Sequence, residues 1–147
     1  MSNSLSKHYT QSFKTVIQFH DIDPMGVMWH GNYPRLLETA RDLVFKKFNY
    51  GYQQMVESGY MWPIVDMQIR YKGYIKLHQE VEVSATLKEF ENRFLFTYTI
   101  KDSTTNELLT KATTTQVAIK VATGELLFAI PDEIIAKFKN LDEDINT

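Results

Sequence analysis

Beyond Pro63 the chain alternates apolar and polar residues with a period of two, in four successive segments. Val65, Met67, Ile69 and Tyr71 are interleaved with Asp66, Gln68 and Arg70. Val81, Val83, Ala85 and Leu87 alternate with Glu82, Ser84, Thr86 and Lys88, and Phe94, Phe96, Tyr98 and Ile100 with Leu95, Thr97, Thr99 and Lys101. Residues 109–121 form a fourth, Thr-rich and β-branched segment, with Thr113, Thr115, Val117 and Ile119 on one face. Successive side chains of a strand point to opposite faces, so each segment offers one apolar face to a core. Turn residues separate the segments at Glu91-Asn92, 103–106 and Thr123-Gly124, and such short links predict an antiparallel meander.

Upstream, residues 13–19 read as one more strand, with Thr15, Ile17 and Phe19 on one face and Lys14, Val16 and Gln18 on the other. A polar loop over residues 20–32 follows, with Pro24, Gly26 and Gly31 as breakers. The period then changes to that of a helix. Asn32 is placed to cap it, and Pro34 suits its first turn, where the missing N–H is not needed. Leu36, Leu37, Ala40, Leu43, Val44 and Phe48 form an apolar stripe, and Arg35, Glu38, Arg41, Asp42, Lys46 and Lys47 fall on the wetter side. Gly51 ends or follows this helix, residues 52–57 suggest a short second turn, and residues 131–140 a short final helix.

One strand, one long helix and four strands make an α+β domain of two layers. The helix covers a single face of the sheet. The other face, or an open edge with unpaired N–H and C=O groups, is left for another cover, and a second copy of the chain is the simplest one. The 147 residues amount to a single domain, 1–147, with residues 1–11 and 141–147 expected as flexible tails. A formal net charge of −2 gives no footing for a nucleic-acid partner, which needs clustered cations. With no cysteine, disulfide scaffolds, thiol nucleophiles and thiolate metal sites are excluded. No segment reads as a signal peptide or a membrane span, so a cytoplasmic, soluble protein is expected.

The loop from His20 to Asn32 carries the chemistry. A helix start has unpaired N–H groups and the positive end of the helix dipole, a setting that stabilises the oxyanion formed when an ester or thioester carbonyl is attacked. A carboxylate beside it, here Asp23, can activate water or attack directly. Gly26 and Gly31 allow tight turns and close backbone approach. Taken alone, the same residues read more readily as a turn and a helix cap. His20, Asp21, Asp23 and His30 match no metal-ligand spacing, so no metal is expected.

The stretch "DIDPMGVMWHGNYPRLLETAR" resembles the motif of thioesterases of the 4-hydroxybenzoyl-CoA thioesterase family, including acyl-CoA thioesterases associated with the Tol–Pal cluster. The resemblance rests on Asp21, Asp23, Gly26, Val27, His30, Asn32, Tyr33, Glu38 and Arg41. It implies the hotdog fold, an antiparallel five-stranded sheet wrapped around one long helix. It implies hydrolysis of acyl-CoA or acyl-carrier-protein thioesters without a cofactor, in a homodimer or homotetramer whose site lies at a subunit boundary. Asp23 is then the catalytic carboxylate, and the His30 N–H polarises the carbonyl.

Around that centre, the His30 imidazole touches the substrate, bonds Asp23 or only fills space. Tyr33 orders the site through its hydroxyl or buries its ring. Gly26, Trp29, Gly31, Trp62 and Lys72 are candidates for binding the substrate, Trp29 and Trp62 with Met61 and Met67 as acyl-pocket walls. Lys72, Lys76, Arg93 and Lys101 are candidates for its phosphates. Asp21 reads as a structural residue, and Glu38 with Arg41 and Arg35 as a solvated or interfacial ion pair. Two rivals remain open: an acyl-thioester hydratase or dehydratase pairing His30 with Asp23, and a non-catalytic acyl-thioester or carrier-protein binding module.

Overall fold

The computed structural model describes residues 9–146, with side chains described over residues 9–139. The chain runs β1 (Thr10–Val16), a 3-10 turn (Phe19–Asp21), a second 3-10 turn (His30–Asn32), α1 (Tyr33–Lys47), α2 (Tyr52–Ser58), β2 (Tyr60–Met61), β3 (Ile64–Tyr71), β4 (Glu80–Glu89), β5 (Phe94–Asp102), β6 (Leu108–Gln116), β7 (Ala118–Lys120), β8 (Glu125–Leu127) and α3 (Asp132–Asn146). Five strands form one antiparallel sheet in the order β1-β4-β5-β6-β3, and β2-β7-β8 form a small second sheet. The α+β architecture expected from the sequence, five antiparallel strands around one long helix, is the one observed.

Helix α1 lies on one face of the sheet, against β4 and β1. It buries Leu36, Leu37, Ala40, Val44 and Phe45 against Val81, Val83, Ala85, Phe96 and Ile100. Burial of each valine, leucine, isoleucine or phenylalanine among them is worth about 1.5–3 kcal/mol relative to exposure, and of each alanine less. Phe45 meets Phe94 and Phe96 edge-on at 5.0 and 5.3 Å. At the far end of the helix, Phe138 of α3 closes the core against Phe48, Phe90 and Phe94.

Several expectations are corrected. The first strand begins at Thr10, inside the segment expected to be a tail, and ends at Val16, so Phe19 is 78% exposed rather than part of a strand face. The final helix runs on to Asn146 instead of stopping at residue 140. Arg41, assigned to the wet side of α1, is 7% exposed, because the apolar stripe is wide enough to take it along with Phe45. The segment 109–121 is two strands. The chain leaves the large sheet after Gln116, and Val117 donates to the Pro63 carbonyl at 3.3 Å as β7 enters the small sheet. Only β4, β5 and β6 make a meander. β3 crosses over to pair with β6 and becomes an edge strand, and its apolar residues stay partly uncovered, Val65 at 59% and Tyr71 at 55% exposure.

Candidate active site

Asp23, Pro24, Met25 and Gly26 form a tight turn. The Gly26 N–H donates to the Asp23 carbonyl at 3.0 Å, and the Asp23 N–H to the Val27 carbonyl at 2.9 Å. Each residue type suits its place: Asp opens the turn, Pro fixes φ at the second position, and Gly26 takes the left-handed conformation with φ +82°. The turn is pinned to the connection after β3, where the Met28 N–H donates to the Ile75 carbonyl at 2.7 Å and Val27 bridges Lys76. Ile75 itself is fully buried. This anchorage brings the end of β3 across from Asp23.

The result is a cleft of about 480 Å³ lined by Asp23, His30, Tyr33, Lys72 and, from the sequences flanking them, Met25 and Tyr74. Asp23 is half-buried, and its Oδ1 accepts from the Met25 N–H at 2.8 Å. Among the described residues Oδ2 has no bonded partner. The 3-10 turn His30–Asn32 runs straight into α1, and Trp29 enters it in an extended conformation. The Tyr33 N–H bonds the His30 carbonyl, and the Asn32 N–H the Trp29 carbonyl at 3.0 Å. The N–H groups of His30 and Gly31 have no acceptor among the described residues. They are the unsatisfied donors that a helix start leaves.

Asp21 holds this arrangement together. It is 7% exposed; its carboxylate accepts from the Gln18 N–H at 2.9 Å and from Arg35 at 3.1 Å. Its carbonyl accepts from the Trp29 N–H at 2.9 Å and from the Asn32 side-chain amide at 2.8 Å. Asn32, expected to cap the helix, instead ties the helix start to Asp21 and makes no side-chain cap. Arg35 reaches Asp21, and Arg41 alone reaches Glu38, at 3.5 Å, while also donating to the Tyr98 hydroxyl at 3.3 Å.

The other candidates are spread more widely. Tyr33 is 4% exposed and meets Tyr71 edge-on at 4.8 Å. Burial, and then Tyr71, push its phenol up, so it stays protonated through neutral pH. The His30 imidazole is exposed and lies 5.3 Å from the Trp29 ring, with no hydrogen bond to Asp23 among the described residues. The Trp29 indole lies over Gly31, where any Cβ would collide with it, so Gly31 accommodates Trp29. Trp29 does not line the cleft. Trp62, expected in an acyl pocket, is a core residue: its indole N–H donates to the Tyr50 hydroxyl at 2.9 Å and its ring packs on Phe94 at 4.6 Å. Of the phosphate candidates only Lys72 reaches the cleft, while Arg93 pairs with Glu89 at 3.3 Å. Tyr71 and Tyr74 escaped the sequence reading. The signal was Gly73, a break directly after a strand, whose N–H folds onto the Leu109 carbonyl at 3.0 Å.

A family model for the thioesterase-like superfamily matches residues 17–138. A protein of Synechocystis sp. (strain ATCC 27184 / PCC 6803 / Kazusa), provisionally named an esterase, is 30% identical over 116 residues, 78% of this chain and 70% of that one. A Bacillus subtilis (strain 168) protein, provisionally named an acyl-CoA thioesterase, is 25% identical over 104 residues, 70% of this chain and 75% of its own. Among solved structures, a 4-hydroxybenzoyl-CoA thioesterase variant in complex with 4-hydroxybenzoyl-CoA superposes with a TM-score of 0.75 over 88% of this chain and 98% of its own, at 22% identity. The family match takes in the Asp23 turn, the helix start and the whole of the large sheet from β3 onward, and the chain belongs to the thioesterase-like superfamily.

Proposed function

We propose that this protein hydrolyses acyl thioesters, with acyl-CoA the favoured substrate form and Asp23 the reacting carboxylate. One observation carries the reading. A half-buried carboxylate, steadied through one oxygen by the Met25 N–H, shares a cleft with the start of a helix whose first N–H groups have no acceptor. The unbonded donors meet the negative charge that develops on the thioester oxygen. Asp23 supplies the other half, taking a proton from the attacking water or adding to the carbonyl itself. Either route ends in a free acid and a thiol. The family relationship and the acyl-CoA thioesterase name of the B. subtilis relative support the same chemistry. A hydratase reading needs an Asp23–His30 pair, and no such bond is present among the described residues.

The working unit in this reading is a homodimer or a larger homo-oligomer in the cytoplasm, with the cleft completed by a second copy along the exposed edge of β3. No described helix is long and apolar enough to cross a membrane.

The test is Asp23→Asn. Asparagine keeps an acceptor for the Met25 N–H but has neither the charge nor the basicity. Free-thiol release from a panel of short, long and aromatic acyl-CoAs is expected to fall at least about a hundredfold, with folding and acyl-CoA binding kept. The protein has no cysteine, so thiol reagents report product without background. Wild-type rates in a folded Asp23→Asn protein would reduce the motif to a turn and a helix start.

A further inference from the structure

Gly31 stands where the loop before α1 becomes the helix, yet its backbone does not require glycine: unlike Gly26, it lies outside the left-handed region. What excludes a side chain there is Trp29. An ideal Cβ on Gly31 would lie 2.4 Å from Cη2 and Cζ3 of the indole and 2.8 Å from Cε3. The indole therefore folds forward over the backbone two residues on, and its ring lies 5.3 Å from that of His30. The Trp29 backbone is fixed independently of the ring. Its N–H donates to the Asp21 carbonyl at 2.9 Å, and its carbonyl accepts from the Asn32 N–H at 3.0 Å. The turn thus makes its own hydrogen bonds, while the Trp29 side chain makes none among the described residues and stays 50% exposed. A large apolar ring is held half in water with a glycine kept bare beneath it, and the stability of the turn does not account for it. The N–H groups directly under and beside the ring, those of Gly31 and His30, are the ones with no acceptor among the described residues.

We infer that Trp29 is a positioning residue: its indole, seated on the bare face of Gly31, braces the His30–Asn32 turn so that the open N–H groups hold one direction toward the thioester oxygen at Asp23. The inference rests on the proposed thioester chemistry. Donors stabilise a developing oxyanion best when they need not reorient as the charge appears. N–H groups at a helix start that no bond ties down lack that fixity. A ring packed across both residues supplies by van der Waals contact the constraint that hydrogen bonds supply elsewhere. Trp29 does not line the cleft, so it acts through Gly31 and His30 and does not touch the substrate. Trp29 and Gly31 then form a matched pair. A methyl group at residue 31 displaces the ring, which is free to swing outward because it is half exposed. Removal of the ring leaves room for the methyl group.

The experiment compares wild type with Trp29→Ala, Trp29→Phe, Gly31→Ala and the double variant Trp29→Ala/Gly31→Ala, each checked for folding by circular dichroism. Thiol release from one acyl-CoA gives kcat and KM. Calorimetry gives the affinity for an S-alkyl-CoA thioether, which has no carbonyl oxygen. Trp29→Ala and Gly31→Ala are each expected to lower kcat about tenfold or more, with KM and thioether affinity kept within about twofold. The double variant should lose no more than either single one, because alanine at residue 31 is harmless once the ring is gone. Trp29→Phe, which keeps a ring, should recover most of the rate. Amide relaxation should show the order parameters of His30 and Gly31 falling from about 0.85 to below about 0.6 in Trp29→Ala. Wild-type kcat in a folded Trp29→Ala protein, or losses that multiply in the double variant, would overturn the inference. A loss of thioether affinity with kcat kept would overturn it in favour of a ring that touches the substrate. Should Trp29→Ala fail to fold, Gly31→Ala and Trp29→Phe carry the same comparison. Should wild type turn over no thioester, the proposed hydrolysis fails, and the order parameters decide by themselves whether Trp29 braces the turn: unchanged values sink it.

Discussion

Asp21 and Asp23 are two residues apart and have opposite situations. Asp21 is buried, with its carboxylate committed to Gln18 and Arg35, whereas Asp23 has one oxygen on Met25 and the other open to a cleft. The sequence shows why each is an acid but not how deeply each is buried. Asp21→Asn is therefore expected to act on stability: losing the charge opposite Arg35 costs about 1–3 kcal/mol in a urea melt, while folded protein keeps most of its turnover. Asp23→Asn is expected to do the reverse. His30 separates backbone from side-chain roles. If the His30 N–H is the active donor, His30→Phe keeps turnover within about tenfold of wild type, because the backbone is unchanged. Loss of a general-base imidazole would instead cost about two to four orders of magnitude in thiol release.

At the scale of elements, legibility follows sequence distance. Helix α1 and strands β4, β5 and β6 were readable because periodicity is a local signal, and Asp23 because its turn is built from four consecutive residues. The edge position of β3 was expected, but its neighbour was not, since its hydrogen-bonding partner β6 lies some forty residues on and nothing in a two-residue period names a partner. Tyr71 and Tyr74 were missed for the same reason: they reach the cleft from a distant connection. Arg41 was misplaced because its polarity was taken as a guide to exposure, although helical phase puts it beside Ala40 and Val44 at the core. The β5–β6 turn shows a different kind of local design. The Asp102 carboxylate accepts from the Gln79 side chain at 2.7 Å and from the N–H groups of Thr105 and Thr104, and these bonds hold its pKa down, at about 2 against the usual 3.8. A depressed folded-state value means stability that is present above about pH 4 and lost as pH falls through about 2. Asp102→Asn should therefore melt below wild type at neutral pH, with the gap narrowing over that acid window in a series of thermal melts.

For the molecule as a whole, the unfinished element is the free edge of β3. Among the described residues its backbone groups on one side have no strand, and Val65 and Tyr71 stand exposed beside it. Pairing along this edge would bury both and place two clefts about one axis. Light scattering at micromolar concentration is expected to give twice or four times the mass of the chain, and a stable monomer would rule the arrangement out. Val65→Glu, which puts a charge where the edge would be covered, is expected to move the distribution toward the single chain.

An edge left open also makes the protein answerable to its own abundance. If pairing along β3 completes both fold and cleft, mass action links association to unfolding and to turnover. The melting temperature should then climb as the solution is concentrated, and the rate per chain should sag on serial dilution. A cell making a few copies of this chain would hold unpaired, idle chains, and doubling the supply would more than double the output.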